Sequence, residues 1–230
     1  KSEKDAVFLA ELMVETGQRL GKRVSALITD MNQPLGRAVG NALEVAECID
    51  VLNGQGPDDL RELSLVLSAS MFLLGKLVRS VAEGRGLAEQ MIASGKAREK
   101  FREMIRLQGG NAAVMDNPGL LPQAKQQADV KSPASGFVTS IMCEQIGTAG
   151  VHLGGGRARK EDSVDPAVGI MVHKKVGDAV TAGEPLCTIY YNSAERLAGA
   201  APLIEQSYTI GAAAPLKALP LVHRVIGDSD

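Results

Sequence analysis

The chain has 230 residues, 45% hydrophobic and 23% charged, which is enough for one large domain or two smaller ones with buried cores. Its 25 Lys and Arg residues nearly balance 27 Asp and Glu residues, so the net charge of −2 gives no electrostatic reason to expect nucleic acid or an anionic membrane as a partner. Three widely spaced cysteines without a CxxC pair, and no apolar run near the roughly 18 residues that span a bilayer, predict a soluble protein of the reducing cytoplasm with neither disulfides nor a zinc site.

The first predicted element is a helix that begins directly after Ser2 and runs to about Glu15. Ser2 can cap it, and Asp5, three residues later, supplies the carboxylate of a capping box. Gly17 and Gly21 are expected to end it. Because the chain opens without Met and enters a helix at once, we expect structured sequence to precede Lys1.

A short apolar run at residues 23–29 is typical of a buried strand, and it ends at Asp30. The loop that follows leads into a helix predicted over residues 38–49, and loops after strand ends are the usual ligand-binding loops of α/β proteins. Asp58 and Asp59 are predicted to cap the next helix and to stabilise its first turn by their charge. The methionines on helical spacing are predicted to be core residues: Met13, Met71, Met91 and Met104.

The character of the chain changes near residue 123, where strand signals replace helical periodicity. Helices are predicted over 60–77, 87–93, 96–107, 143–153 and 194–210, and strands over 137–141, 168–173, 185–189 and 221–226, with Gly177-Asp178 marking a hairpin. We therefore predict an α/β fold. Residues 1–115 form part of a mixed α/β sheet domain, residues 116–128 a linker, and residues 129–230 an α+β subdomain of hammerhead-like, barrel-sandwich type.

Three groups of residues resemble the thymidine or pyrimidine-nucleoside phosphorylase family, and they occur in the family's order. They are Leu27-Ile28-Thr29-Asp30-Met31-Asn32-Gln33-Pro34-Leu35-Gly36 with Val39-Gly40-Asn41-Ala42-Leu43-Glu44-Val45; Gln108-Gly109-Gly110; and Gly154-Gly155-Gly156-Arg157 with Lys175-Val176-Gly177-Asp178 and Gly183-Glu184-Pro185-Leu186. The resemblance covers essentially the whole chain. It implies a pentosyltransferase that cleaves thymidine, and also uridine and deoxyuridine, with inorganic phosphate as co-substrate, giving the free base and a (deoxy)ribose 1-phosphate.

The resemblance also implies that this chain matches the C-terminal half of the family. The family's glycine-rich phosphate loop and its pyrimidine-binding Arg, Ser and Lys lie upstream of the position that matches Lys1. We therefore predict no catalytic residue in this chain and expect the chain alone to be inactive. Family members are homodimers through the N-terminal helical domain, so a homodimer is expected only with that domain present.

One site of the family can be carried over residue by residue, a monovalent-cation site for potassium. The positions matching Leu35 and Ala38 supply backbone carbonyls, and the position matching Glu47 supplies a carboxylate. If the predicted helix begins near Ala38, Glu47 lies about two and a half turns further along, so the loop must fold back to reach it. Taken without the motif, Glu47 would be interpreted as a solvated surface carboxylate.

Other interpretations stay open at this point. Residues 130–192 resemble the turns of small lipoyl- or biotinyl-carrier barrels, but they lack the Met-Lys pair that such a carrier modifies. A second alternative is a non-catalytic structural piece. The glycine run at residues 154–160, with Arg157, is compatible either with a basic flap that closes over an anionic substrate or with a flexible connection.

Overall fold

The computed structural model describes residues 2–157, 159–216 and 220–227. Within these residues the helices are α1 (Glu3–Arg19), α2 (Asn41–Leu52), α3 (Asp58–Leu74), α4 (Val81–Ala93), α5 (Lys96–Leu107), α6 (Cys143–Leu153) and α7 (Ala194–Ser207), and short 3-10 turns cover Ala112–Met115 and Pro118–Leu120. The strands are β1 (Ser25–Thr29), β2 (Ala38–Val39), β3 (Gln126–Lys131), β4 (Gly136–Ile141), β5 (Gly169–Val172), β6 (Ala179–Val180), β7 (Pro185–Tyr191), β8 (Tyr208–Gly211) and β9 (Val222–Gly227). The predicted α/β fold class is confirmed, while the hammerhead-like arrangement and the boundary at residues 116–128 stay predictions.

The strands form small antiparallel sheets that join distant parts of the chain. The described sheets have the orders β1-β9, β2-β5-β7-β3 and β6-β4-β8. Ser25 of β1 pairs with Gly227 of β9, and Ala38 of β2 pairs with Met171 of β5. The first forty residues are therefore held by strands from the last third of the chain.

The larger core lies between helices α6 and α7 and the strands of the last hundred residues. Its fully buried members include Val138, Ile146, Ile170, Ile189 and Ile204. On α6 the buried residues recur on one helical face, whereas β7 buries four consecutive residues and is therefore covered on both faces. A smaller core joins α2 to α5 and the first 3-10 turn through Ile49, Val114 and Met115. No helix in the described ranges is both long and apolar enough to cross a membrane.

The predicted capping box of α1 is confirmed, and so is the predicted stop at Gly21, which has φ at 69°, but Gly17 does not end the helix. The backbone N–H of Asp5 donates to Ser2 Oγ at 3.3 Å, and Asp5 Oδ2 accepts from the Ser2 N–H at 2.8 Å. The helix continues through Gly17 to Arg19. A Cβ at Gly17 would lie 2.3 Å from Val24 Cγ2, so this glycine permits a close approach instead of ending the helix.

The predicted start of the second helix at Ala38 is also wrong. Ala38 and Val39 form strand β2, and α2 begins only at Asn41. Gly40 separates the two elements with φ at 142°, and a Cβ there would stand 2.7 Å from the Val168 carbonyl oxygen. The chain therefore turns sharply against β5 before the helix can begin.

Two C-terminal predictions need correction because strand pairing there is non-local. Gly177-Asp178 does not join neighbouring strands of one sheet, since the following strand β6 pairs with β4 and not with β5. The predicted helix over residues 194–210 ends at Ser207, and β8 follows, pairing Ile210 with Val138 of β4.

The predicted burial of three methionines is wrong. Met13, Met71 and Met104 are 61%, 62% and 45% exposed. Their helical spacing places them on a face, but within the described part of the chain that face is turned to solvent. Periodicity identifies the helix without identifying which neighbour covers it.

Candidate cation site

The loop between β1 and β2 contains the first predicted cation-binding residue. Asp30, at the end of β1, orients its start, because Asp30 Oδ1 accepts from the backbone N–H of Asn32 at 3.1 Å and from its side-chain amide at 2.5 Å. Further on, Gly36 has a positive φ of 67°, a conformation that favours glycine. The loop therefore turns immediately after Leu35, which is 37% exposed.

Glu47 reaches back from α2 to this loop. Its Oε1 accepts from the backbone N–H groups of Arg37 at 2.8 Å and Ala38 at 3.1 Å. Glu47 is 8% exposed and Ala38 is 4% exposed. The structure thus brings Glu47 to Ala38 and to the residue after Gly36, and Glu47 is a buried carboxylate instead of a solvated one.

The neighbours of Glu47 only partly offset the cost of burying its negative charge. Burial raises its pKa above the ordinary value, although the N–H groups of Arg37 and Ala38 act in the opposite direction. The nearby Asp59 carboxylate also raises the pKa of Glu47, and Lys175 lowers it. A cation at this carboxylate would favour its ionised form, so its environment is chemically suited to one.

Lys175 is the functional neighbour that sequence reasoning missed. Its Nζ donates to Asp59 Oδ2 at 2.8 Å, to the Gly36 carbonyl at 2.6 Å and to the Pro34 carbonyl. The Lys175 side chain is 15% exposed. Lys175 belongs to one of the family-like motifs, but the motif does not reveal that its ammonium lies on a loop about 140 residues earlier.

Asp59 lies in the first turn of α3, as predicted, but it does not cap the helix, because the residue before α3 is Pro57. Asp59 Oδ1 accepts from the Leu60 N–H of that turn at 2.9 Å, and Asp59 Oδ2 accepts from the Gly36 N–H at 3.2 Å and from Lys175. Burial tends to raise the pKa of Asp59, but the hydrogen bond and charge of Lys175, together with the N–H groups of Leu60 and Gly36, leave it below its ordinary value. Asp59 is therefore an ionised partner of the loop.

The segment that carries Lys175 makes further contacts with the same loop. The Val176 N–H donates to Gln33 Oε1 at 3.0 Å. Arg37 Nη1 donates to the His173 carbonyl at 2.7 Å, and the Arg37 carbonyl accepts from the Val172 N–H at 2.7 Å. The loop is thus held by side chains of α2 and α3, by β5 and by the connection from β5 to β6.

The glycine run after α6 is anchored at its start. The Gly155 carbonyl accepts from Asn41 Nδ2 at 2.8 Å, and the Gly155 N–H donates to the Gly150 carbonyl at 3.0 Å. Arg157 is exposed, and Ala158, within the predicted flap, lies outside the described residues. Neither interpretation of this run, a flap that closes over a substrate or a flexible connection, is tested by these contacts.

The predicted donor set at the candidate site consists of the backbone carbonyls of Leu35 and Ala38 and the Glu47 carboxylate. Among residues 2–157, 159–216 and 220–227, no group of three or more His, Cys, Asp or Glu side chains could hold a metal ion. An all-oxygen set of carbonyls with a single carboxylate suits a hard cation of low charge better than zinc or copper.

Comparison with known proteins identifies relatives for nearly the whole chain. A family model described as glycosyl transferase family, a/b domain, matches residues 2–98, and one described as pyrimidine nucleoside phosphorylase C-terminal domain matches residues 137–211. The pyrimidine-nucleoside phosphorylase of Bacillus subtilis (strain 168) is 46% identical over 227 residues, which cover 98% of this chain and 52% of the relative. Those of Staphylococcus aureus strains USA300 and NCTC 8325 are 49% identical over 192 residues, covering 84% of this chain and 44% of each relative.

The chain spans about half the length of the curated relatives that it matches. The candidate cation loop lies in the first matched stretch, and Lys175 lies in the second. The carrier-module interpretation has no support among these relatives, which are all phosphorylases. The chain belongs to the pyrimidine-nucleoside phosphorylase family.

Proposed function

We propose that this chain is part of a pentosyltransferase, an enzyme that cleaves pyrimidine nucleosides with inorganic phosphate. The substrates are thymidine, uridine and deoxyuridine with inorganic phosphate, and the products are the free base and a (deoxy)ribose 1-phosphate. The observation that carries this proposal is the 46% identity to a pyrimidine-nucleoside phosphorylase over 98% of the chain.

The reaction breaks the bond between the base and the sugar and forms one between a phosphate oxygen and the anomeric carbon. It requires groups that hold phosphate, hydrogen bonds that stabilise the anionic leaving base, and a site closed to water. We assign none of these tasks to a named residue of this chain. Its proposed contribution is to form and hold the cation loop beside the rest of the enzyme.

We propose potassium as the ligand of that loop, bound by the backbone carbonyls of Leu35 and Ala38 and by the Glu47 carboxylate. Three observations support the proposal: Glu47 is buried, its pKa is raised by that burial, and it already contacts the Ala38 backbone. A bound potassium ion would supply a positive charge that fixes the loop. Replacement of potassium by choline is expected to lower the melting temperature; an unchanged melting temperature would contradict a bound ion.

Three further proposals concern the protein's organisation. We propose that the enzyme is a homodimer, that it acts in the cytoplasm with its three cysteines reduced, and that residues 116–128 link residues 1–115 to residues 129–230. The described cysteines are free thiols. Limited proteolysis should cut first within residues 116–128, sedimentation velocity should give a dimer for the active protein, and fractionation should recover it with cytoplasmic markers.

The deciding experiment is a phosphorolysis assay with thymidine and uridine on two proteins. One is the 230-residue chain, and the other is a hybrid in which it replaces the matching 52% of the Bacillus subtilis relative. We expect turnover by the hybrid and none by the chain alone. A hybrid that melts cooperatively but releases no base from either nucleoside would contradict the proposed function.

A further inference from the structure

The ammonium group of Lys175 occupies a complete cradle of oxygen atoms. An ammonium group has three donors and no acceptor, and all three donors of Lys175 have partners: two backbone carbonyls, of Pro34 and Gly36, and the Asp59 carboxylate. With the side chain only 15% exposed, water contributes little to satisfying the group.

This cradle has the composition of a cation site. Backbone carbonyls together with a single carboxylate are the ligands that bind hard monovalent cations as well as an ammonium group. We propose that Lys175 is a positioning residue: its ammonium acts as a tethered cation that fills this cradle and fixes the loop from Pro34 to Ala38.

The placement of the cradle explains how Lys175 acts on the candidate potassium site. Lys175 holds the Gly36 carbonyl, Asp59 holds the Gly36 N–H, and Glu47 holds the N–H groups of the next two residues. Consecutive peptide units are thus fixed by groups from α2, from α3 and from the connection between β5 and β6. Without the ammonium, two carbonyls and the Asp59 carboxylate would face each other, and the loop would no longer have a single position.

A cradle built for a cation should accept a free cation when its tether is removed. The test compares the Lys175→Ala and Lys175→Met variants, because Ala leaves the cradle empty whereas Met fills the space of the stem without a charge. The control is Lys174→Met, whose lysine belongs to the same connection but pairs with Glu184 Oε1 at 2.5 Å and does not contact the loop.

Melting temperatures are measured in ammonium chloride and in choline chloride at equal ionic strength. Lys175→Ala is expected to melt lower than the wild type in choline and to recover at least half of the loss in ammonium. Ammonium can also occupy the candidate potassium site, which all four proteins share, so the gain of Lys175→Ala in ammonium should exceed the gain of the wild type, Lys174→Met and Lys175→Met. The proposal is overturned if ammonium raises the melting temperature of Lys175→Ala no more than that of the wild type, or no more than that of Lys175→Met.

A second measurement on the wild type keeps the proposal testable if the Ala variant does not fold. Three hydrogen bonds should slow proton exchange of the Lys175 ammonium, giving a ¹⁵N-lysine NMR signal that persists at low temperature and mildly acidic pH. That signal should be absent in Lys175→Met and present in Lys174→Met. Absence of any protected lysine ammonium signal in the wild type overturns the cradle.

The potassium measurement rests on the proposed function, whereas the ammonium and NMR measurements do not. In the hybrid enzyme, potassium should raise the melting temperature, and half of that rise should need about ten times more potassium in Lys175→Ala than in the wild type. Tenfold is the smallest loss of metal affinity usually seen when a group that orients the metal's ligands is removed. If potassium does not change the melting temperature of the hybrid, the proposed cation site is contradicted, but the role of Lys175 in the cradle is not. If potassium raises the melting temperature of Lys175→Ala and of the wild-type hybrid at the same concentrations, the positioning role of Lys175 is contradicted.

Discussion

The carboxylate of Glu47 lies directly against the α-carbon of Gly36. A Cβ at Gly36 would stand 2.2 Å from Glu47 Oε2, and Gly36 also has φ at 67°. The glycine is therefore required both by the turn of the loop and by the position of the carboxylate. This contact gives a direct way to test whether the loop and Glu47 act together.

Gly36→Ala should destabilise the protein by about 2 to 4 kcal/mol, since it combines a left-handed alanine with displacement of a buried carboxylate. Gly54→Ala is the matched control, because Gly54 also has a positive φ of 80° but nothing lies within 4 Å of an added Cβ. The control should lose only about 1 kcal/mol. Urea unfolding measures both, and equal losses would show that the Glu47 contact has no role.

Glu47→Gln should abolish the potassium-dependent rise in melting temperature while changing stability in choline by less than about 1 kcal/mol. The amide keeps an acceptor for the N–H groups of Arg37 and Ala38, and it removes a charge whose ionised form burial disfavours. The control is Glu44→Gln on the same helix, where an exposed Glu44 Oε1 only accepts from the Gly40 N–H at 2.9 Å. A potassium response that persists in Glu47→Gln would remove Glu47 from the site.

Stability should fall as pH rises above about 9 because of Cys187. This thiol is fully buried in β7, and burial, followed by the charge of Asp129, raises its pKa from 9.0 to about 12. The unfolded chain can ionise the thiol above pH 9.0 whereas the folded chain cannot, so the stabilisation present below pH 9.0 is lost on the way to pH 12.

The expected contribution is a loss of up to about 1.4 kcal/mol per pH unit from this one group. Cys187→Ala should lower stability at all pH values by leaving a cavity, but it should flatten the decline between about pH 8 and pH 10. Urea titrations at several pH values give the free energy of unfolding of the wild type and of Cys187→Ala, and the two pH slopes are then compared. An unchanged slope in Cys187→Ala would assign the decline to other groups.

Gly84 of α4 lies directly against the backbone of α3 at Ala69. A Cβ there would stand 2.8 Å from the Ala69 carbonyl oxygen and 2.9 Å from the Ala69 Cα. Gly84→Ala should therefore destabilise the protein by about 1 to 3 kcal/mol by forcing the helices apart.

Gly86 of the same helix is the matched control. It is exposed, and nothing lies within 4 Å of an added Cβ, so Gly86→Ala should stabilise the protein by up to about 1 kcal/mol through helix propensity. Circular dichroism melting distinguishes the two variants by the sign of the change. A shift of the same sign in both would mean that the contact with Ala69 does not limit the packing of α3 against α4.

The sequence alone determined the features that depend on neighbouring residues. The Ser2 and Asp5 capping box, helix α5 at Lys96–Leu107 and helix α6 at Cys143–Leu153 were predictable because caps, periodicity and breakers all act within a few residues. The motif around Leu35 likewise marks the loop whose backbone contacts Glu47. These signals are local, so they survive without knowledge of the rest of the fold.

The tertiary structure decided the features that depend on distant partners. Ala38 is in a strand because β5 pairs with it, residues 208–211 form a strand because β4 pairs with them, and Met13 is exposed because nothing described covers it. The cradle of Lys175 is the clearest case, since its oxygens come from Pro34, Gly36 and Asp59. Hydrogen bonds and burial act between atoms close in space, and sequence spacing carries no information about such distances until the chain has folded.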